Sequence, residues 1–157
     1  MMKIRHATRE DLPRVNELRR QVNDLHVQGM PGWFKPGFSQ ELQQYLYVLF
    51  DSEDHDVLVA EQDGLVIGFT CIKFIDKPES PYRPACRFLE IEELGVDEAC
   101  RRSGAGRALV ESIKEIAKAK GFNRIDLNMW EFNDNALKFY ESVGFNTYRR
   151  YMEMPVE

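Results

Sequence analysis

The chain has 157 residues, 43% of them hydrophobic and 30% charged, and a formal net charge of −5. These values describe one water-soluble domain with a single sizeable core, and the acidic balance argues against general nucleic-acid binding. Cys71, Cys86 and Cys100 are odd in number and lack CxxC or Cys/His spacing, so a reduced interior is expected and no metal site. His6, His26 and His55 stand apart from one another and read as surface or packing residues. The N-terminus has no long apolar run, so neither a signal peptide nor a membrane span is expected and the cytoplasm is the default compartment.

Met2 to Ala7 alternates as a short strand. From about Glu10 a helix is expected, with Leu12, Val15, Leu18, Val22 and Leu25 on one face, Thr8 or Asp11 as cap and Pro13 in the first turn. His26 to Phe38 holds two prolines and three glycines and reads as irregular; Trp33, Phe34 and Phe38 need somewhere to go, and packing beneath that loop would accommodate them. Ser39 is placed to cap a second helix carrying Leu42, Tyr45, Leu46, Leu49 and Phe50. Asp56 to Gln62 and Leu65 to Ile75 read as two strands joined by a tight turn at Asp63-Gly64. Lys77 to Ala85, with three prolines, is a loop leading into a strand from Cys86 to Val96.

The next stretch organises the chain. After Val96 the residues turn polar through Ser103, Gly104 and Gly106 bracket Ala105, and a helical pattern follows through Ala108, Leu109, Ser112, Ile113 and Ile116 to Lys120, stopped by Gly121. A strand feeding a glycine loop at a helix start is an anion site, because the first-turn amides lack internal partners and the positive end of the macrodipole points at them. The P-loop pattern fails, since Gly106 is followed by Arg107 and Ala108. The dinucleotide fingerprint fails at Leu109, where it needs a third glycine. What remains is Arg101-x-x-Gly104-x-Gly106, which resembles the acyl-CoA pyrophosphate loop of the GCN5-related N-acetyltransferase (GNAT) family.

Arg124 to Trp130 alternates as a half-buried strand. A second motif follows: Asn133-x-x-Ala136-x-x-x-Tyr140-x-x-x-Gly144-Phe145, with Asn133 capping a short helix that Gly144 ends. It too resembles the GNAT family, in the family's order, and Phe145 to Met154 would supply one or two final strands. The resemblance is close from about Phe88 to Tyr148 and extends to the earlier half only in layout. It implies a single domain over residues 1–157 with an α/β GNAT-like fold: a mixed, mostly antiparallel sheet of six to seven strands, about four helices, and a splay between strands four and five.

The implied activity is N-acetyl transfer from acetyl-CoA, as cosubstrate, to a primary amine by direct attack in a ternary complex, with no metal. Such a reaction requires a base for the amine, a donor for the oxyanion and a proton for the departing thiolate. Glu92 is the first candidate for the base and Glu90 the second. Strict alternation would put these two on one face and Glu93 on the other. Gly95 reads as a bulge or a close approach, and the resemblance implies that amides near Leu94, Gly95 and Val96 bond the pantetheine arm. The loop Arg101, Arg102, Ser103, Gly104, Ala105, Gly106 and Arg107 would hold the pyrophosphate. Three cations at a helix start oppose the dipole unless an anion sits among them. Asn133 would touch the cofactor arm and Tyr140 would reach the thioester sulfur. Trp33, Phe34 and Glu90 are candidates to line the acceptor site. The family often has glycine where this chain has Arg102, and the loop has no lysine.

The acceptor, a small-molecule or peptide amine, is not specified: a polyamine, aminoglycoside, amino acid or peptide N-terminus all suit acidic strand residues beside an aromatic loop. A homodimer is an open expectation, as is acetyl against a longer acyl donor. The rival from another class is a catalytically idle acyl-CoA-binding regulator; a third reading, another nucleotide-binding enzyme, predicts stabilisation by ATP or NAD rather than CoA.

Overall fold

A computed structural model describes residues 1–157 of the chain. Five strands form one sheet in sequential order: β1 (Met2–His6), β2 (His55–Gln62), β3 (Leu65–Lys77), β4 (Cys86–Val96) and β5 (Ile125–Leu127). The first three pairings are antiparallel and β4 pairs β5 in parallel. Four helices, α1 (Leu12–Gly29), α2 (Gln40–Phe50), α3 (Ala105–Ala119) and α4 (Asp134–Ser142), complete the fold.

Because successive strand residues point to opposite faces, a strand covered on both sides must be apolar at consecutive positions, and the middles of β2 (Val57 to Ala60) and β3 (Val66 to Phe69) are. Val57 and Val59 face α1 and α2, where they join Leu12, Val15, Leu18, Leu46, Leu49, Phe69 and Cys71. Leu58 and Ala60 face α3 and pack with Ile72, Leu89, Ile91, Leu109 and Ile113. The sheet therefore separates two apolar layers. The Asp63-Gly64 turn forms as expected, with both residues at positive φ, 52° and 80°, and Ser39 Oγ accepts the Leu42 amide at 3.2 Å to cap α2.

Several expectations are corrected. The sheet has five strands instead of six to seven: Phe145 to Met154 forms none, and β5 is three residues long instead of spanning Arg124 to Trp130. Arg149 and Arg150 would put a cation on each face of a final strand, leaving neither face to bury, and residues 146–157 are all exposed. Helix α1 runs through His26 to Gly29, past the expected start of the loop, with Met30 N donating to His26 O at 2.8 Å. Gly29 does not break it; a Cβ there would collide with the Phe132 ring, so that glycine permits close packing.

Candidate functional site

Strand β4 carries an irregularity that decides which side chains share a face. Ile91 pairs with Ile72 and Glu93 with Cys71, so Glu92 is an extra residue without a partner on β3. The expected bulge exists three residues before Gly95. Its effect is to return Glu93 to the face of Glu90, contrary to the strict alternation: both now lie away from α3, and Glu93 makes a two-pronged ion pair with Arg19 of α1 at 2.7 and 3.2 Å. Arg19 itself is buried, held also by Asn16 Oδ1 and Leu42 O. Gly95 is explained differently from the expectation, since a Cβ there would lie 2.8 Å from both Phe69 and Val22; it lets α1 approach the sheet.

Glu93 is thus engaged, and the remaining two carboxylates differ. Glu92 Oε1 lies 3.2 Å from His55 Nε2, while His55 Nδ1 lies 3.1 Å from Ser52 Oγ. With the ring proton on Nε2, His55 donates to Glu92, which fixes the carboxylate's direction, while the Ser52 hydroxyl donates to Asp54 Oδ1 at 2.9 Å. From the sequence His55 reads as a surface or packing residue, and only the pairing of β2 with β3, and β3 with the bulged strand, brings it there. Glu90 has neither ion-pair nor hydrogen-bond partner and faces a cavity.

Beyond the bulge β4 loses its neighbour. The parallel ladder with β5 is Leu89 to Ile125, Glu90 to Asp126 and Ile91 to Leu127, and there it stops. Leu94, Gly95 and Val96 therefore run on along β3 with an unpaired edge toward β5. The amides and carbonyls on that side are open to a ligand that lies between the strands.

The loop after β4 is tied to α1. Asp97 accepts from Arg14 Nη2 at 2.6 Å and Gln21 Nε2 at 3.3 Å, and its carboxyl is held below the usual range by the Ala99 amide first and then Arg14. Gln21 Oε1 accepts the Glu98 amide at 3.0 Å. From this anchor the chain enters α3 through Arg102 (φ 65°) and Gly104 (φ 89°). Arg102 occupies a left-handed conformation that costs an L side chain about 1–2 kcal/mol.

Within the protein, the amides of Arg102, Ser103, Gly104, Gly106 and Arg107 have no hydrogen-bond acceptor, and Ala105 reaches only Ser103 Oγ at 3.3 Å. The guanidinium groups of Arg101, Arg102 and Arg107 pair with no carboxylate; Arg107 touches only Ser142 O, at 3.5 Å. A row of free donors at the start of a 15-residue helix, flanked by three uncommitted cations, fits a diphosphate.

The second motif lies against the first. A Cβ on Gly106 would sit 2.9 Å from Phe139 Cζ, so this glycine lets α4 pack on the first turn of α3. Asn133 caps α4 by accepting the Ala136 amide at 3.1 Å, which leaves its Nδ2 without a protein acceptor. Tyr140 is flanked by Phe139 and Phe145, with ring centroids at 5.1 and 5.5 Å, and its hydroxyl makes no hydrogen bond. Burial pushes the phenol up to about 12. Trp33 and Phe34 pack on Trp130, at 5.7 and 5.2 Å, and Phe34 stacks on His26. They form an aromatic cluster between the end of α1 and the segment after β5, while Phe38 lies apart under Arg19.

The chain matches the acetyltransferase (GNAT) family over residues 19–145. It is 28% identical over 149 residues to an uncharacterised N-acetyltransferase of Methanocaldococcus jannaschii, a match covering 90% of this chain and 59% of that protein. The chain spans about half the length of the curated relatives it matches. Among solved structures, a point mutant of the BH1408 protein from Bacillus halodurans superposes with a TM-score of 0.94 at 29% identity, covering 99% of both chains. An aminoglycoside N-acetyltransferase in complex with CoA superposes with a TM-score of 0.78, covering 99% of this chain and 95% of that one; at 17% identity it shares the fold.

Proposed function

This chain belongs to the acetyltransferase (GNAT) family, and from that premise we propose that it moves an acetyl group from acetyl-CoA to a primary amine by direct attack in a ternary complex. The observation that carries this reading is the set of five unaccepted amides between Arg102 and Arg107 at the start of α3. They and the three arginines would hold the diphosphate, and the open edge of Leu94, Gly95 and Val96 would hold the pantetheine arm. Asn133 Nδ2 would donate to the same arm. The thioester supplies an activated acyl group, and the protein's task is to orient it, exclude water and handle two protons.

The amine must lose a proton before it attacks, since a free lysine-like amine is almost wholly charged at neutral pH. Glu92, steered by His55, is the proposed base, and Glu90 the group that attracts and places the amine. An amide of the open edge would donate to the developing oxyanion. Tyr140 would assist the thiolate. A phenol near 12 is a poor full proton donor to the thiolate of a thiol with pKa about 8.5, uphill by roughly 5 kcal/mol. Its contribution is therefore a hydrogen bond that strengthens as charge collects on sulfur.

An amine screen with acetyl-CoA, followed by free-thiol release, tests the reading, alongside thermal shifts with CoA, ATP and NAD. Acetylation of at least one amine and stabilisation by CoA alone are expected. Tyr140→Phe should lower kcat up to about a hundredfold with little change in acetyl-CoA affinity. Glu92→Gln should lower kcat and shift the residual rate toward higher pH. CoA binding with no amine acetylated would favour an idle acyl-CoA-binding module, and stabilisation by ATP or NAD would overturn the family-based reading of the loop.

A further inference from the structure

Beside Glu90, on the face of the sheet away from α3, lies a cavity of about 260 Å³ whose charges are unlike those of the rest of the chain. Two of its groups neutralise each other: Asp126 pairs with Arg124 Nε at 2.9 Å and also accepts the Tyr148 hydroxyl at 2.6 Å. What is left over is three cations and one anion. Lys77 and Arg149 form no ion pair and rest over the rings of Phe88 and Tyr151, at 5.7 and 5.1 Å. Arg83 bonds only to the carbonyls of Pro78 and Pro84 and the Cys86 sulfur. Glu90 is the uncommitted carboxylate. In a protein with a net charge of −5, three unpaired cations gathered at one cavity make a local field of the opposite sign.

The cavity also sits where an acceptor would enter. Glu90 precedes by one residue the end of the β4–β5 ladder, and Leu127, the last residue of β5, and Asn128 just beyond it, where the strands part, line the cavity with it. Cys86 and Phe88, on the same face of β4, carry the cavity away from that point toward Lys77, which pairs with Cys86 across the ladder. One end therefore offers a carboxylate next to the proposed thioester position, and the other offers cations.

We propose that the acceptor is a primary amine that also carries an oxyanion, a carboxylate or a phosphate, with its nitrogen drawn to Glu90 and its oxyanion held by Lys77, Arg83 and Arg149. This rests on the acetyl-transfer reading above and narrows it. Polyamines and aminoglycosides carry several positive charges and no anion, so the three cations repel them; acidic peptides and phosphorylated amines, in which the two groups stand several bonds apart, satisfy both ends. Arginine provides paired donors for a carboxylate or a phosphate, and an acceptor lacking the oxyanion gains nothing from them.

The experiment compares matched acceptors under acetyl-CoA: a dipeptide against its C-terminal amide, a hexosamine 6-phosphate against the free hexosamine, and spermidine as the polycation. At least one anionic member should exceed its neutral partner tenfold or more in kcat/KM, and the pair that does so distinguishes carboxylate from phosphate. Arg83→Ala and Lys77→Ala, both exposed positions, should raise KM for the anionic member about tenfold without lowering kcat, and Arg83→Lys should restore part of it. Equal use of anionic and neutral partners, a preference for spermidine, or no effect of either variant overturns the proposal while leaving acetyl transfer standing. If no amine in the set is acetylated, acetyl transfer to these amines fails, and the cavity is judged by calorimetry of the same pairs with CoA present. Binding of the anionic member that Arg83→Ala abolishes then upholds the oxyanion site, and indifference between partners overturns it.

Discussion

Gly106 shows how one position can serve two needs. In the proposed complex its free amide would face the diphosphate, and in the folded chain its lack of a side chain admits Phe139 close to the first turn of α3. Gly106→Ala places a methyl 2.9 Å from that ring; denaturant unfolding should show a loss of about 1–3 kcal/mol, with weaker CoA binding. Asp11 gives a pH test of the N-terminal region. Its carboxyl bonds Arg5 at 2.7 Å and the Thr8 amide at 2.7 Å, and Arg5 first, then Thr8, holds it down at about 2. A lowered folded value means that the contribution is fully present above the ordinary aspartate value of about 3.9 and is lost as pH falls toward 2. Asp11→Asn should therefore cost about 1–2 kcal/mol at pH 7 in urea titrations, and the gap should close when both proteins are compared near pH 2.

The decisive element is β4 and its extra residue at Glu92. Without it, Ile91 would still face Ile72 and Glu93 would still face Cys71, because the partner strand has no matching insertion. Deleting Glu92 should hence leave the sheet register and most of the stability intact. The bulge's bend and added twist would go, and with them the reason for β4 to part from β5 after Leu127. Calorimetry should show CoA affinity falling at least tenfold in a protein whose circular dichroism is unchanged. Strongly weakened binding in a misfolded chain, or undiminished binding in a folded one, would sink this account of the splay. The alternation rule fails here for a local reason: a bulge consumes one residue without advancing the ladder, so parity beyond it inverts.

At the scale of the whole molecule, two apolar layers on either side of one sheet carry the stability, and residues 146–157 contribute to neither. Truncation after Phe145 removes one buried-end hydrogen bond, Tyr148 to Asp126, worth about 1 kcal/mol. It also removes Arg149 from the cavity proposed to take the acceptor. Thermal unfolding should shift by only a few degrees while KM for the anionic acceptor rises, and acetyl-CoA affinity should not change.

How much of this was legible in the residues follows from which forces are local. Helix caps at Ser39 and Asn133, the Asp63-Gly64 turn, the apolar middles of β2 and β3, and the glycine loop opening α3 depend on backbone preferences and periodicity within a few residues. The sequence alone therefore determined the layout, the glycine loop and the order of the two motifs. The missing final strands, the placement of the bulge at Glu92, the His55–Glu92 contact, the Arg19–Glu93 pair and the charged cavity were decided only in three dimensions. Each joins residues from separate elements, and strand register, ladder length and ion pairing between distant segments arise from the packing of the whole chain, which no local pattern encodes.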